Sequence, residues 1–327
     1  MPASNPMSPF HEGELAVQTR VGARDKLAAV GRVAIRDHMP EQHRGFFAQL
    51  PFMLTGTVDT AGQPWASALA GPPGFIRSPD PQCLTVQAQP LVASPLATTL
   101  RVGGGIGLLG IEPHTRRRNR VNGVVSAVNP DGFDVQVQQS FGNCPKYIQT
   151  RQALYCPEPT PVVRQVCRTP RLDAQARQLI QRADTFFIAT TYAGDGCLSA
   201  HGVDVSHRGG QPGFVRLDDD RLTVPDYLGN FFFNTLGNLT LNPRAGLLFI
   251  DFDTGDLLHL AVSASIIWDG PALADFAGAQ RLLRLQVHDM LRVPAALPMR
   301  WEAVMPDPTA GIFQARPGTG TNSATAR

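Results

Sequence analysis

Five consecutive residues, Ser206-His207-Arg208-Gly209-Gly210, set a hydroxyl, an imidazole and a guanidinium beside two glycines. Glycine lets a ligand approach the backbone closely, and the amides it exposes accept anions. A second polar group follows, Pro225, Asp226, Gly229, Asn230, Asn234, Thr235 and Asn238, interrupted by Phe231-Phe232-Phe233. Apolar walls with a few fixed hydrogen-bonding groups suit a flat heteroaromatic ligand bearing a phosphate. The plainer reading is that these are turn and cap residues.

Other chemistry is weakly represented. His201, His207 and His259 lack metal-ligand spacing, and no nucleophile elbow, Walker loop, HExxH or paired-carboxylate motif occurs. Residues 105–110, GIGLLG, match GxGxxG literally, yet they lie inside a strand pattern and Pro113 soon follows, which argues against a dinucleotide fingerprint. The densest charge, Arg116-Arg117-Arg118-Asn119-Arg120, has two readings. It aligns with the turn at 253–256 and so reads as a solvated hairpin tip. Alternatively its guanidinium forks bind a small phosphorylated ligand. Asp218-Asp219-Asp220 reads as a solvated turn.

The elements that must position these residues are short strands. Gly (31) and Pro (28) are abundant among 327 residues, which favours many turns over long helices, and the length suggests two domains. Residues 14–37 read as helix in pieces broken at Gly22 and Gly31, and Pro40 opens a short helix that Pro51 ends. From Phe52 the period becomes two, with strands in FMLTGTV, WASALAG, PGFI, CLTV, GIGLLGIE, VNGVVSAV and FDVQVQQSF. Between 149 and 169 the pattern fails among clustered prolines. Residues 173–184 restore a helix with Asp173 as N-cap, its buried face formed by Ala176, Leu179, Ile180 and Ala183.

The strands then recur. Pro73-Gly74-Phe75-Ile76-Arg77 matches Pro212-Gly213-Phe214-Val215-Arg216, Leu84-Thr85-Val86 matches Leu222-Thr223-Val224, and Gly107-Leu108-Leu109 matches Gly246-Leu247-Leu248. The offset is 138 or 139 throughout, which indicates internal duplication. Residues 272–280, ALADFAGAQ, suit a helical turn, and LLRLQVHDML reads as the last barrel strand. The expected fold is mainly β: two tandem six-stranded antiparallel split barrels with a few short helices. The expected divisions are a helical extension over 1–44, a first barrel over 45–168, a second over 169–305 and a disordered tail over 306–327.

A net charge of +2 gives no argument for nucleic acid or a membrane surface, and no run of about 18 apolar residues exists for a spanning helix. The N-terminus has neither a basic nor an apolar leader region. Five scattered cysteines, odd in number and without CxxC, read as reduced thiols, so the expected location is cytoplasmic. Exposed barrel faces make a homodimer the expected assembly.

The segments DVSHRGGQPGFVRL and LTVPDYLGNFFFNTLGNLTLNPRAGLLFIDFDTGDLL, with TVDTAGQPWASALAGPPGF and FGNCPKYI upstream, resemble the pyridoxamine 5′-phosphate oxidase-like, FMN-binding split-barrel family. The resemblance covers roughly 45–150 and 183–290 and implies FMN bound where two barrels meet. It implies that Ser206, His207, Arg208, Gly209 and Gly210 border the flavin and its ribityl phosphate. Pro225, Asp226, Gly229, Asn230, Phe231, Asn234, Thr235 and Asn238 would form the following cofactor segment. Many relatives carry arginines after the Gly-Asn pair, where this chain has three phenylalanines, so Arg208 becomes the first phosphate candidate. The resemblance also implies that Lys146 and Tyr147 close the second-half site from the first half. The upstream copy lacks SHRGG and Gly-Asn, so one FMN site per chain is expected. The implied activity is an FMN-dependent oxidoreductase passing hydride or electrons from a donor such as NADH or NADPH to a small molecule. The alternatives are a non-catalytic flavin or haem carrier or sensor, and a structural protein without cofactor.

Overall fold

Alternation of apolar residues on both faces of the central strands dictates a layered arrangement. The computed structural model describes residues 8–157, 165–194, 200–229 and 231–304. In chain order the first half contains α1 (Glu12–Arg20), α2 (Arg24–Ala34), α3 (Glu41–Ala48), β1 (Phe52–Val58), β2 (Pro64–Ala70), β3 (Ile76–Arg77), β4 (Cys83–Val86), α4 (Leu96–Thr99), β5 (Gly105–Glu112), β6 (Arg117–Asn129) and β7 (Gly132–Gly142). The connection carries β8 (Arg151–Tyr155) and β9 (Cys167–Thr169). The second half contains α5 (Ala174–Arg182), β10 (Thr185–Tyr192), β11 (Gly202–Gly209), β12 (Arg216–Asp218), β13 (Arg221–Tyr227), α6 (Asn234–Leu241), β14 (Arg244–Ile250), β15 (Leu257–Ile267), β16 (Ala279–Val293) and β17 (Met299–Ala303).

The duplication is explicit in the topology. One sheet runs β2-β1-β5-β6-β7-β4-β3 and the other β11-β10-β14-β15-β16-β13-β12, the same order with every partner antiparallel. Each is six strands plus a very short seventh, β3 or β12, as expected of split barrels. One bulge also coincides: the register shifts at Asn122/Gly123 in one half and at Ala261/Val262 in the other.

The period of two sorts side chains into separate cores. Met53, Ile106 and Leu108 fill the first barrel with Leu84, Phe133 and Val135. Phe186, Ile188 and Leu247 fill the second with Leu222, Phe249 and Leu285. The alternate residues of the same strands, Leu54, Leu109 and Ile111 against Phe187, Ala189 and Leu248, form a third cluster that joins the barrels.

Three sequence expectations change. Gly31 does not break α2, because the helix runs through it and packs it against Phe10, whose ring leaves no room for a side chain. Gly22, at φ +67°, does end the first helical piece. The pattern failure at 149–169 conceals β8, which pairs with β17 outside the barrel sheet, and β9, which pairs with β16; LLRLQVHDML lies in β16, the last strand of the second barrel, as expected. Helix α6 was not expected from Asn- and Gly-rich residues with low helix propensity. It forms because α1 packs on it so closely that a side chain at Gly13 or Gly237 would strike the opposing backbone. The expected tail falls outside the described residues.

Candidate functional site

The arginine run divides between a turn and a strand. Arg116 is the turn residue, left-handed at φ +55°, and Arg117 is exposed. Arg118, Arg120 and Asn122 follow at every second position of β6 and share the face that meets β11 of the other barrel. The solvated-tip reading therefore holds only at the start of the run.

Arg120 is 3% exposed. Its Nη1 donates to Asp204 Oδ1 at 3.0 Å and to Asn234 Oδ1 at 2.8 Å, and its Nη2 donates to Ser206 Oγ. Asp204 also accepts from Asn122 Nδ2 at 2.7 Å and Asn238 Nδ2 at 3.2 Å. Thr235 Oγ1 lies 3.1 Å from Ser206 Oγ. This network ties β6, β11 and the first turn of α6 together at the junction of the barrels.

Arg118 is held differently. Its Nε donates to the Cys144 carbonyl at 2.7 Å and its Nη1 to His207 Nδ1 at 3.0 Å. Among the described residues it has no carboxylate partner. Burial lowers its pKa to about 10, so it stays cationic at neutral pH. Burial, and then the Arg118 charge, push the His207 pKa well below its ordinary value, so this imidazole is neutral. Because Nδ1 accepts from Arg118, the His207 proton resides on Nε2.

Arg208 donates to Asp226 Oδ1, while Arg281 Nε approaches Asp226 Oδ2 at 3.5 Å. Arg208 is thus already paired with a carboxylate. Tyr147, reaching across from the first half, stacks on Tyr227 with centroids 5.2 Å apart and donates to the Leu228 carbonyl at 3.1 Å. Gly209 is required there, since a Cβ would lie 2.2 Å from the Tyr147 carbonyl oxygen.

These groups surround one cleft that is partly open to solvent. Ser206, His207, Arg208, Gly209, Pro225, Asp226, Gly229, Phe231, Asn234, Thr235, Lys146 and Tyr147 all line it. Gly210 and Asn238 do not: Gly210 packs on Phe214, and Asn238 is buried behind the cleft against Thr190 and Asp204. Asn230 lies outside the described residues. Three bulky residues of the lining, Tyr147, Phe231 and Phe233, take left-handed φ of +66°, +63° and +64°. Such backbone costs about 1–3 kcal/mol per residue and persists only where its surroundings impose it. Sequence reasoning offered Arg118 and Arg120 only as one of two readings of the basic run, without placing them at this cleft, and missed Cys144 and Tyr227 as lining residues. For the two arginines the signal was available, because they alternate in phase with Asn122 in a run that continues into VNGVV.

The equivalent position on the first barrel is filled. Strand register makes His259 the counterpart of Arg120 and Leu257 that of Arg118. Ser67, Ala68 and Leu69 correspond to Ser206, His207 and Arg208. Leu257, Ala68, Leu297 and Met299 close that region as apolar core. Among the described residues no cluster of three or more His, Cys, Asp or Glu is placed to hold a metal ion, and no helix is long and apolar enough to cross a membrane.

The fold and this cleft define a tandem split-barrel protein with one cationic cleft where its halves meet. Residues 172–304, in the second half of the chain, match the family described as pyridoxamine 5′-phosphate oxidase and resemble its split-barrel members. Among solved structures, the chain is similar to a single-site variant of HupZ from Group A Streptococcus, at 14% identity and TM-score 0.29, covering 37% of this chain and 98% of that one. A putative pyridoxamine 5′-phosphate oxidase from Lactobacillus delbrueckii matches at 16% identity and TM-score 0.29, covering 37% of this chain and 94% of that one. The heme storage protein HutZ from Vibrio cholerae matches at 16% and 0.27, covering 38% and 95%. No curated protein matches the chain.

Proposed function

We propose that this protein binds FMN in one cleft per chain and serves as an oxidoreductase between a reduced donor such as NADH or NADPH and a small-molecule acceptor. The observation that carries this reading is Arg118, a half-buried guanidinium in the cleft lining whose hydrogen-bond partners are a carbonyl and a neutral imidazole. A charge partly withdrawn from water without a counter-ion is unfavourable, and an anionic ligand supplies what is missing. The residues present fit FMN. Arg118, Ser206 and Lys146 would hold its phosphate, and Tyr147, Tyr227, Phe231 and Phe233 offer apolar walls for its rings. The flavin supplies the hydride and electron chemistry, and the protein supplies binding, orientation and electrostatics.

Haem is the rival ligand in this family of folds. A neutral histidine ligates iron through an unprotonated ring nitrogen. His207 offers Nδ1 to Arg118 and carries its proton on Nε2, which favours the flavin reading. The filled counterpart on the first barrel supports one cofactor per chain.

The test is spectroscopic. The purified protein, incubated with FMN and dialysed, should show flavin absorbance at a ratio near one per chain, and the bound flavin should bleach anaerobically with NADH or NADPH. A colourless protein, a ratio near two, or a Soret band in place of flavin absorbance defeats the reading. Bound flavin that no donor bleaches leaves a carrier or sensor.

A further inference from the structure

Helix α1 lies outside both barrels, yet it reaches the base of the cleft. The close crossing of Gly13 on Gly237 brings the Glu14 carboxyl under the first turn of α6. Glu14 is 2% exposed. Its Oε2 accepts from the His11 amide at 3.0 Å, which completes a capping box, whereas its Oε1 accepts from Asn234 Nδ2. The second bond is not part of helix capping. Asn234 in turn accepts from Arg120 Nη1, and Arg120 reaches Ser206 in the cleft wall.

We infer that Glu14 is a proton-linked positioning residue of the cleft: as the neutral acid it holds Asn234 and Arg120 in place without setting a second negative charge beside the Arg120–Asp204 pair. Two carboxyl groups, Asp204 and Glu14, flank the single guanidinium of Arg120. With both ionised, the group would carry a net negative charge beside the site of an incoming anion. With Glu14 neutral, Asp204 and Arg120 balance, and the uncompensated Arg118 sets the sign of the cleft. Burial and the Asp204 charge both raise the Glu14 pKa well above its ordinary value, in keeping with this arrangement. The other titratable groups facing it are His11, whose Nε2 lies 3.7 Å from Glu14 Oε2 and whose pKa is lowered by burial, and Arg120. Beyond His11 stand Glu12 and His201.

The sign follows from linkage. An anion bound in the cleft favours the protonated carboxyl, so affinity is highest where Glu14 is neutral and falls as pH rises through its pKa. The inference relies on the flavin reading only for its probe. FMN affinity is measured by fluorescence quenching from mildly acidic to alkaline pH for the wild type, Glu14→Gln and Glu14→Ala. Glu14→Gln cannot ionise and keeps an acceptor for Asn234.

The expected result is a wild-type affinity that declines by about tenfold relative to Glu14→Gln at the alkaline end, a ratio in which titration of the FMN phosphate cancels. Glu14→Ala should bind weakly at every pH, because Asn234 loses its partner. Infrared spectroscopy of the ligand-free protein should show the carbonyl band of a protonated, buried carboxyl that Glu14→Gln lacks. Parallel pH profiles for wild type and Glu14→Gln, or absence of that band, overturn the inference while the flavin reading stands. If FMN does not bind, the flavin reading fails. The same comparison with inorganic phosphate, followed by thermal shift, then decides on Glu14, and an equal shift in wild type and Glu14→Gln at every pH, or no shift in either, overturns it.

Discussion

Gly107 and Gly246 are counterparts on β5 and β14, and each meets the backbone of the opposite barrel. A Cβ at Gly107 would lie 2.5 Å from the Val203 carbonyl oxygen, and one at Gly246 would lie 2.3 Å from that of Pro64. The pair marks a pseudo-two-fold seam, with β5 on β11 repeated as β14 on β2. Contacts of this reciprocal kind join the subunits of symmetric dimers.

The two glycines predict separable effects. Gly107→Ala and Gly246→Ala should each destabilise the protein by about 1–3 kcal/mol in chemical denaturation, since backbone on both sides must shift. Gly107→Ala should additionally weaken FMN binding, because it displaces Val203 and hence Asp204. Gly246→Ala, facing Pro64 and Trp65, should leave FMN affinity unchanged.

Arg118→Ala should weaken FMN by about 1.5–3 kcal/mol, the value of a charge-assisted hydrogen bond, and riboflavin by little, because only FMN carries the phosphate. Removing a half-buried charge that lacks a counter-ion should leave the stability of the ligand-free protein unchanged or raised. Equal loss for FMN and riboflavin would count against the assignment. Arg208→Ala should instead act through Asp226 and show little preference between the two ligands.

Asp204→Ala should be among the most damaging changes in the chain. It leaves Arg120 without its carboxylate and deprives Asn122 and Asn238 of an acceptor. Breaking a buried ion pair from one side costs about 3–5 kcal/mol, to be read from denaturant midpoints. Asp204→Asn, which keeps an acceptor oxygen, should lose less.

His259 sets part of the acid limit. Burial lowers its pKa from 6.5 to about 4. Between those values the unfolded chain binds the extra proton and the folded one does not, so stability is full above 6.5 and falls as pH drops towards 4. The integrated effect is about 3 kcal/mol. Glu14, with its raised pKa, acts in the opposite direction as pH rises above its unfolded value, so the comparison with a His259→Gln variant isolates His259. That variant keeps a donor for the Ala66 carbonyl, and its stability should fall less steeply below pH 6.5 than the wild type's.

The duplication was legible because strand faces constrain residue type at every second position, so Pro-Gly-Phe and Gly-Leu-Leu recur at a constant offset. Most of the lining around Ser206 and Tyr147 was legible through the family resemblance. For Arg118 and Arg120 the two readings of the basic run stayed open, because the alignment set the whole run against a turn, although the strand begins one residue after Arg116. Helix α6 and the placement of Glu14 depend on a contact between residues 13 and 237. No local propensity encodes a carboxyl buried by an element more than two hundred residues away.

One wall of the cleft comes from Arg118, Lys146 and Tyr147, and the opposite wall from Ser206 to Phe233, all on one polypeptide. Two separate subunits would have to meet before such a cavity existed, and dilution would take it apart. Here tethering fixes the encounter, so the cleft should persist at any protein concentration at which the chain is folded. It also releases each half from serving both roles. In a homodimer an arginine gained at one site appears at its twin, whereas this chain carries Arg118 and Arg120 on one side of the axis and Leu257 and His259 on the other.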